Sequence, residues 1–361
     1  MSIESLARPE IVAMRPYSSA RKEAPGEGIL LNANEAPWSL LDGSDGEAPL
    51  NRYPEPQPLA LVERLADLYG VPPDQVLVTR GSDEGIDLLT RVFCRAGQDA
   101  ILQSPPTFGM YKIAAQAQGA DVVSIPRSAA DGFRMQEQAI LDALKADRRI
   151  KLVFLTSPNN PTGDVVREVF LETLLEQARD RAVVVVDEAY AEFCSQPSAA
   201  SRIGGYPNLV VLRTLSKAWA AAGLRCGAVL AQPELLALLR RVIAPYPLPS
   251  PVTALALRML QSDVLARQRQ MLQDLAANKQ TLLAALDGRP FVDELIAGEA
   301  NFVMIRVEGA TDLLAFCASR GVILRGFPAD ALLRRYIRIS VGSAQDIDAL
   351  AAVLDDWENQ A

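Results

Sequence analysis

Ala182-Val-Val-Val-Val-Asp-Glu-Ala-Tyr190 sets four valines in a row and then stops them with an acid. A strand with one face in water alternates apolar and polar residues. A continuous β-branched run suits a strand covered on both faces, the habit of parallel sheets. Lys151-Leu-Val-Phe-Leu155 and Leu209-Val-Val-Leu212 repeat the pattern, with a helix predicted over 166–179 between the first two. Upstream the same alternation predicts a helix at 59–69, a strand at 76–79, a helix at 83–95, a strand at 100–103, a helix at 109–118 and a strand at 121–125. The expected class is therefore α/β, a mostly parallel sheet with crossover helices.

Pro245-Tyr-Pro-Leu-Pro-Ser-Pro251 breaks the composition. Beyond it an amphipathic stretch covers 252–286, followed by a strand at 302–307, a helix at 311–319, strands at 322–325 and 336–341, and a helix at 345–357. The first 50 residues are rich in Pro, Gly and Asn and read as loops. Three segments are expected: an N-terminal arm over 1–50, a large domain over 51–250, and a smaller C-terminal α/β domain over 251–361 entered through a long linking helix.

Of the 361 residues 49% are hydrophobic and 22% charged, with a net charge of −8. That is a globular composition, without the block of Lys and Arg that nucleic acid requires. No apolar run reaches the ~20 residues of a membrane span. The start has no basic n-region or apolar h-region, so a cytoplasmic location is expected. Cys94, Cys194, Cys226 and Cys317 are scattered and read as free thiols. The chain has no histidine. Ser-His-Asp and Cys-His catalysis and His-ligated metals are excluded, no metal site is expected, and proton transfer falls to Lys, Tyr, Asp, Glu or Cys.

Ligands of open parallel sheets bind at the carboxyl ends of the strands, so polar residues there carry the weight. Arg80-Gly-Ser-Asp-Glu-Gly85 opens a helix after a strand, reading either as plain capping by Ser82 or Asp83 or as an anion cup built from the amides of Ser82, Asp83 and Glu84. Thr156-Ser-Pro-Asn-Asn-Pro-Thr-Gly163 is a stiff loop that aims an amide at a strand end, or an ordinary turn. Asp187 ends a buried strand and needs a cationic partner. A nucleotide-hydrolysing reading of that acid fails because no G-x-x-x-x-G-K-[ST] loop is present.

In Thr214-Leu-Ser-Lys-Ala-Trp219, Lys217 sits in small, apolar company, and Gly223 interrupts the helix pattern before Arg225 turns into a strand over Cys226–Leu230. Both cations can then approach one bound molecule from two sides, the alternative being that both are plain surface charges. Pyridoxal 5′-phosphate asks for this set: an anion cup with an arginine for its phosphate, an acid for its ring nitrogen, and a lysine of depressed basicity for its aldehyde.

The chain resembles a fold-type I, class I/II pyridoxal-phosphate-dependent aminotransferase. The motifs span nearly its whole length: Asn51-Arg-Tyr-Pro-Glu-Pro-Gln57, Arg80-Gly-Ser-Asp-Glu-Gly85, Pro105-Pro-Thr-Phe-Gly-Met-Tyr111, Ser157-Pro-Asn-Asn-Pro-Thr-Gly163, Val186-Asp-Glu-Ala-Tyr190, Thr214-Leu-Ser-Lys-Ala-Trp219, Gly223-Leu-Arg-Cys-Gly227 and Tyr336-Ile-Arg-Ile-Ser-Val-Gly342. The first, the second and the Gly-Leu-Arg-Cys-Gly motif together point to the histidinol-phosphate branch. The resemblance implies that Lys217 is the covalent anchor of the cofactor and carries the proton to and from the substrate α-carbon. It implies that Asp187 pairs with the ring nitrogen and that Asn160 and Tyr190 bind the ring's 3′-oxygen. Ser216, Arg225 and the amides of Ser82, Asp83 and Glu84 are implied to bind the phosphate, joined by Tyr53 from a second copy in a homodimer.

Phe108 stands where the family carries a stacking aromatic, often Tyr. Arg338, Arg325 and Tyr17 match contacts to an anionic substrate. Ala36 replaces the usual polar residue of the Asn-x-Asn-Glu-[Asn/Ser]-Pro motif. The implied activity exchanges an amino group between L-histidinol phosphate and 2-oxoglutarate, giving imidazole-acetol phosphate and L-glutamate in histidine biosynthesis. The alternatives within the fold are an aromatic or other amino-acid aminotransferase and a threonine-phosphate decarboxylase-like lyase.

Overall fold

A computed structural model describes residues 2–17, 29, 31–41 and 50–359. The rest of the expected N-terminal arm, 1, 18–28, 30 and 42–49, lies outside them. Seven strands form the larger sheet: β1 (Val76–Thr79), β2 (Ala100–Gln103), β3 (Asp121–Ser124), β4 (Ile150–Thr156), β5 (Val183–Asp187), β6 (Leu209–Thr214) and β7 (Gly227–Ala231). Their order is β1-β7-β6-β5-β4-β2-β3. All neighbours run parallel except around β7, which is antiparallel to both β1 and β6.

The valine run behaves as its sequence predicts. Val183 and Val185 enter one hydrophobic layer with Ile86, Leu89 and Phe154, while Val184 and Val186 enter the opposite layer with Leu61, Leu65 and Leu174. Each buried valine contributes about 1.5–3 kcal/mol through loss of apolar surface to water. This doubly covered strand is what brings Asp187 to an inner carboxyl end, with Thr156 of β4 beside it in register.

A second sheet of four strands is antiparallel throughout: β8 (Glu294–Ile296), β9 (Phe302–Arg306), β10 (Arg325–Gly326) and β11 (Tyr336–Ser340), in the order β10-β11-β9-β8. The strand expected at 322–325 shrinks to the two residues of β10, because only that short piece reaches β11. The stretch 252–286 forms two helices, Ser250–Met259 and Ser262–Leu286. They part at Leu260, whose side chain is drawn into the large core, and at Gln261, which is extended. Leu265 and Leu272 of the longer helix pack against that large core, and Leu282 and Leu286 belong to the core of the small sheet.

A backbone contact fixes the two sheets near the site. Gly163, in the stiff loop after β4, accepts a hydrogen bond from Glu299 N at 2.7 Å through its carbonyl oxygen. A Cβ at Gly163 would fall 2.7 Å from the Cα of Gly298, and φ there is +74°, so glycine alone fits.

Candidate active site

The carboxyl ends of β4, β5 and β6, the N-terminus of the helix Ser82–Phe93 and the edge of the small sheet face one cleft of about 640 Å³. Asp187, Asn160, Tyr190 and Lys217 line it. So do Ser82, Asp83, Ser216 and Arg225 at one end, and Arg325 and Arg338 with Phe108 elsewhere on its wall.

Asp187 is 2% exposed. The sequence called for a cationic partner, yet among the described residues no ion pair engages it. Its Oδ2 lies 2.7 Å from the Tyr111 hydroxyl and its Oδ1 accepts from Ala189 N at 3.2 Å. Burial is the main cause of a carboxyl pKa raised to about 6, with the Tyr111 and Ala189 hydrogen bonds opposing and the Asp83 and Glu188 carboxylates adding to it. A buried acid of this kind leaves an opening for a cation that no ion pair among the described residues fills.

Lys217 follows β6 and is exposed where it opens on the cleft. Its Nζ lies 5.8 Å from the centre of the Tyr190 ring. Burial holds its ammonium below the ordinary lysine value, and the Arg338 and Arg225 guanidiniums push the same way against Asp83 and Asp187. More of the neutral, nucleophilic amine is therefore present at neutral pH than on a surface lysine.

The anion cup is built from a strained turn. Arg225 stands in the left-handed region, φ 54° and ψ 48°, between the turn Ala222–Leu224 and β7. Such a conformation costs a non-glycine residue about 1–2 kcal/mol. Its guanidinium donates to Ser216 Oγ at 3.3 Å, Ala222 O at 3.1 Å and Asp83 Oδ2 at 3.1 Å. Beneath it lies Gly81, φ +78°, where a Cβ would come 2.9 Å from Arg225 Nη2. The first amides of the following helix have no partner within it, and its dipole favours an anion. Glu84 offers its amide only: its carboxylate folds back to accept from Arg80 N at 2.7 Å and pairs with the Arg80 side chain. Gly81→Ala is expected to destabilise the protein by about 1–3 kcal/mol and to weaken phosphate binding by displacing Arg225. Thermal melts with and without inorganic phosphate check both effects.

Arg338 of β11 reaches across from the small sheet and donates to Asn160 Oδ1 at 2.5 Å. Asn160 Nδ2 in turn donates to the Tyr190 hydroxyl at 3.3 Å, and that phenol is held above its usual pKa by burial. Arg325 is the register partner of Arg338 on β10, so two guanidiniums share one wall of the cleft. Phe108 packs edge-on against Tyr111.

Three predicted residues do not line this cleft: Glu84, Tyr53 and Tyr17. Tyr53 is 49% exposed and stacks on Tyr246 with 4.6 Å between ring centres; Tyr17 is 68% exposed. The segment of Tyr53 is pinned by Glu35, which accepts from Tyr53 N at 2.7 Å and pairs with Arg52, while Ala36 O accepts from Asn51. The departure at Ala36 thus falls where the backbone, not the side chain, makes the contact to Asn51.

Sequence reasoning missed Tyr111 and Thr156, which touch Asp187 or each other from 76 and 45 residues away. It also missed Arg213, buried below the cleft. Arg213 pairs at 2.7 Å with both Glu188 and Glu192, and Glu192 accepts from Trp219 Nε1 at 3.2 Å. The loop of Tyr190 is thereby tied to the loop of Lys217.

The family profile described as aminotransferase class I and II matches residues 40–354. A histidinol-phosphate aminotransferase of Aeromonas hydrophila subsp. hydrophila is 46% identical over 356 residues, covering 99% of this chain and 98% of that one. Among solved structures, the histidinol-phosphate aminotransferase of Clostridium acetobutylicum superposes with a TM-score of 0.78 at 20% identity over 86% of this chain and 92% of that one. That of Sinorhizobium meliloti, solved in complex with pyridoxal-5′-phosphate, gives 0.75 at 22% identity over 86% and 84%. The two structural likenesses speak to the fold.

Proposed function

The chain belongs to the class I and II aminotransferases, and from that premise we propose that it transfers the amino group of L-histidinol phosphate to 2-oxoglutarate, yielding imidazole-acetol phosphate and L-glutamate, with pyridoxal 5′-phosphate as cofactor. The observation that carries the reading is a buried acid that makes no ion pair among the described residues, Asp187, opening on the same cleft as a lysine of lowered basicity, Lys217. The cup at Gly81 and Arg225, which a single added Cβ would fill, supports a bound phosphate. Close full-length relatives of the histidinol-phosphate type support the substrate.

When bound, the cofactor supplies an aldehyde that accepts the amino group and a ring that draws electrons from the substrate α-carbon. The chain does the rest. Lys217 holds the cofactor covalently and then moves a proton to and from the α-carbon. Asp187 faces the ring nitrogen, and Asn160 with Tyr190 faces the ring's 3′-oxygen. Ser216, Arg225 and the amides of Ser82, Asp83 and Glu84 take the cofactor phosphate, and Phe108 covers the ring. Arg338 and Arg325 grip the anionic end of the substrate, with Tyr17 joining them. We read the working unit as a homodimer in the cytoplasm. The exposed, pinned position of Tyr53 supports its reaching the cleft of a second copy.

A single-turnover screen of histidinol phosphate against phenylalanine, tyrosine and threonine phosphate tests the substrate. Histidinol phosphate is expected to react fastest, with 2-oxoglutarate consumed and no CO2 released. Arg338→Ala should raise KM for histidinol phosphate by about 10–100-fold, the loss of a charge-assisted hydrogen bond of about 1.5–3 kcal/mol. A faster reaction with phenylalanine or tyrosine, or CO2 release from threonine phosphate, refutes the assignment.

A further inference from the structure

From Asp187 runs a line of hydroxyls whose protons can be counted, two of them on residues that also line the cleft, Thr156 and Thr107. Asp187 Oδ2 lies 2.7 Å from Tyr111 Oη, Tyr111 Oη 2.7 Å from Thr156 Oγ1, and Thr156 Oγ1 3.0 Å from Thr107 Oγ1. Thr107 Oγ1 lies 2.8 Å from Asn159 Oδ1. The far end has a fixed direction. Asn159 Nδ2 faces Pro106 O at 3.0 Å, an oxygen that can only accept. It also donates to Thr162 Oγ1 at 2.7 Å, whose own proton goes to the Asp164 carboxylate. The amide is thereby oriented with Oδ1 toward Thr107, and that oxygen can only accept.

The line therefore has four links and two ends. Three hydroxyls, on Tyr111, Thr156 and Thr107, bring one proton each. With Asp187 ionised, three protons serve four links, and one pair of oxygens faces each other at 2.7–3.0 Å with no hydrogen between them. With a proton on Asp187 every link is filled, all pointing one way: Asp187 to Tyr111, Tyr111 to Thr156, Thr156 to Thr107, Thr107 to Asn159.

We infer that Asp187 carries a proton when no ligand is bound, that the Tyr111–Thr156–Thr107 line holds it there, and that a basic aromatic nitrogen entering the cleft takes it. The step balances. The Asp187 O–H bond breaks, an N–H bond forms with the nitrogen lone pair, and a neutral acid beside a neutral ring becomes a carboxylate beside a ring cation. No other reactant is needed. The line then has one proton too few and relaxes at one link. Asp187 is thus a built-in proton source for its ligand, and Tyr111, Thr156 and Thr107 are positioning residues that set its readiness to give. Burial of Asp187 pushes its carboxyl in the same direction, independently of the line.

The other charged or titratable groups that bear on Asp187 are Asp83 from the helix Ser82–Phe93, Glu188 and Tyr190 from its own strand end, and Lys217 from the loop after β6. Only Lys217 among them favours ionisation. None of them lies in the hydroxyl line, so the substitutions below leave them in place. The inference concerns the unliganded chain and stands apart from which amino compound is turned over.

The test is a pH titration of the Asp187 carboxyl in the full chain stripped of cofactor, followed by infrared or ¹³C signals of labelled aspartate. The Asp187 signal is identified by its absence in Asp187→Asn. Thr156→Val leaves Tyr111 to serve Asp187 and Thr107 to serve Asn159, so two protons fill two links with Asp187 ionised. Thr107→Val frees Thr156 to serve Tyr111, with the same result. Both should lower the midpoint by about one pH unit or more, because no link is left empty on ionisation. Tyr111→Phe removes the donor to Asp187 and should raise it. Burial alone predicts otherwise, since a methyl group in place of either threonine hydroxyl only makes the surroundings drier. A midpoint that stays or rises in either valine variant overturns the inference. Should one of them fail to fold, the other decides.

Discussion

Lys217→Ala is expected to lower amino transfer by about 10⁴-fold or more while leaving the fold intact. Two losses combine in that one substitution. The covalent anchor goes, and with it the group that moves the proton at the α-carbon, a contribution of about 10²–10⁴ by itself. No histidine exists anywhere in the chain to take over the proton. The phenol beside Lys217, Tyr190, is held above its ordinary pKa and is engaged by Asn160. Stability should change little, because Lys217 makes no ion pair among the described residues and its ammonium is disfavoured where it sits. The wild-type protein should show a visible band from cofactor joined to Lys217 that borohydride removes; the variant should bind the cofactor without that linkage. Lys217→Arg, which keeps the charge but not the nucleophile, should be as inactive. Retained turnover in either variant, with an unchanged melting temperature, would sink the proposed role.

The fold was legible where one strand decides its own surroundings. Four valines in sequence can only be satisfied by apolar cover on both sides, and the two layers around β5 supply it. Elements whose limits depend on distant contacts were harder to read. The break at Leu260 and Gln261 lies between two good helix formers and is set by where Leu260 is buried. Strand β8 has three residues and exists because β9 lies beside it. The cleft divides the same way. Asp187, Lys217 and Ser82 follow from the rule that strand ends face the ligand. Tyr111 does not, because on its helix it looks like a core aromatic, stacked on Phe154 at 4.6 Å, and only the sheet brings Thr156 and Asp187 to its hydroxyl. The cation expected for Asp187 was a sound demand of electrostatics that no ion pair among the described residues answers.

Asp187→Asn should cost activity on the order of 10²–10⁴-fold, as loss of a buried ion pair with a ring cation costs about 3–5 kcal/mol. Asparagine keeps the shape and the contact with Ala189 N but cannot balance the charge. The substitution also has a signature that turnover does not share. In the unliganded chain the carboxyl pKa is raised from 3.8 to about 6. The folded state therefore holds the proton more tightly than the unfolded state. Stability from this group is complete below about pH 4 and is lost as the pH rises through about 6. Two pH units correspond to about 3 kcal/mol at most. Asp99, Asp147 and Asp346 are shifted the opposite way and gain stability with pH, but they are present in both proteins and cancel in the difference. The unfolding free energy of wild type minus that of Asp187→Asn should fall between pH 4 and 6 and then level off. With cofactor bound the sign should reverse, because a ring cation beside Asp187 stabilises the carboxylate and pulls its pKa below the unfolded value. A difference that is flat with pH in both forms would mean that Asp187 neither holds a proton in the empty cleft nor meets a cation in the filled one.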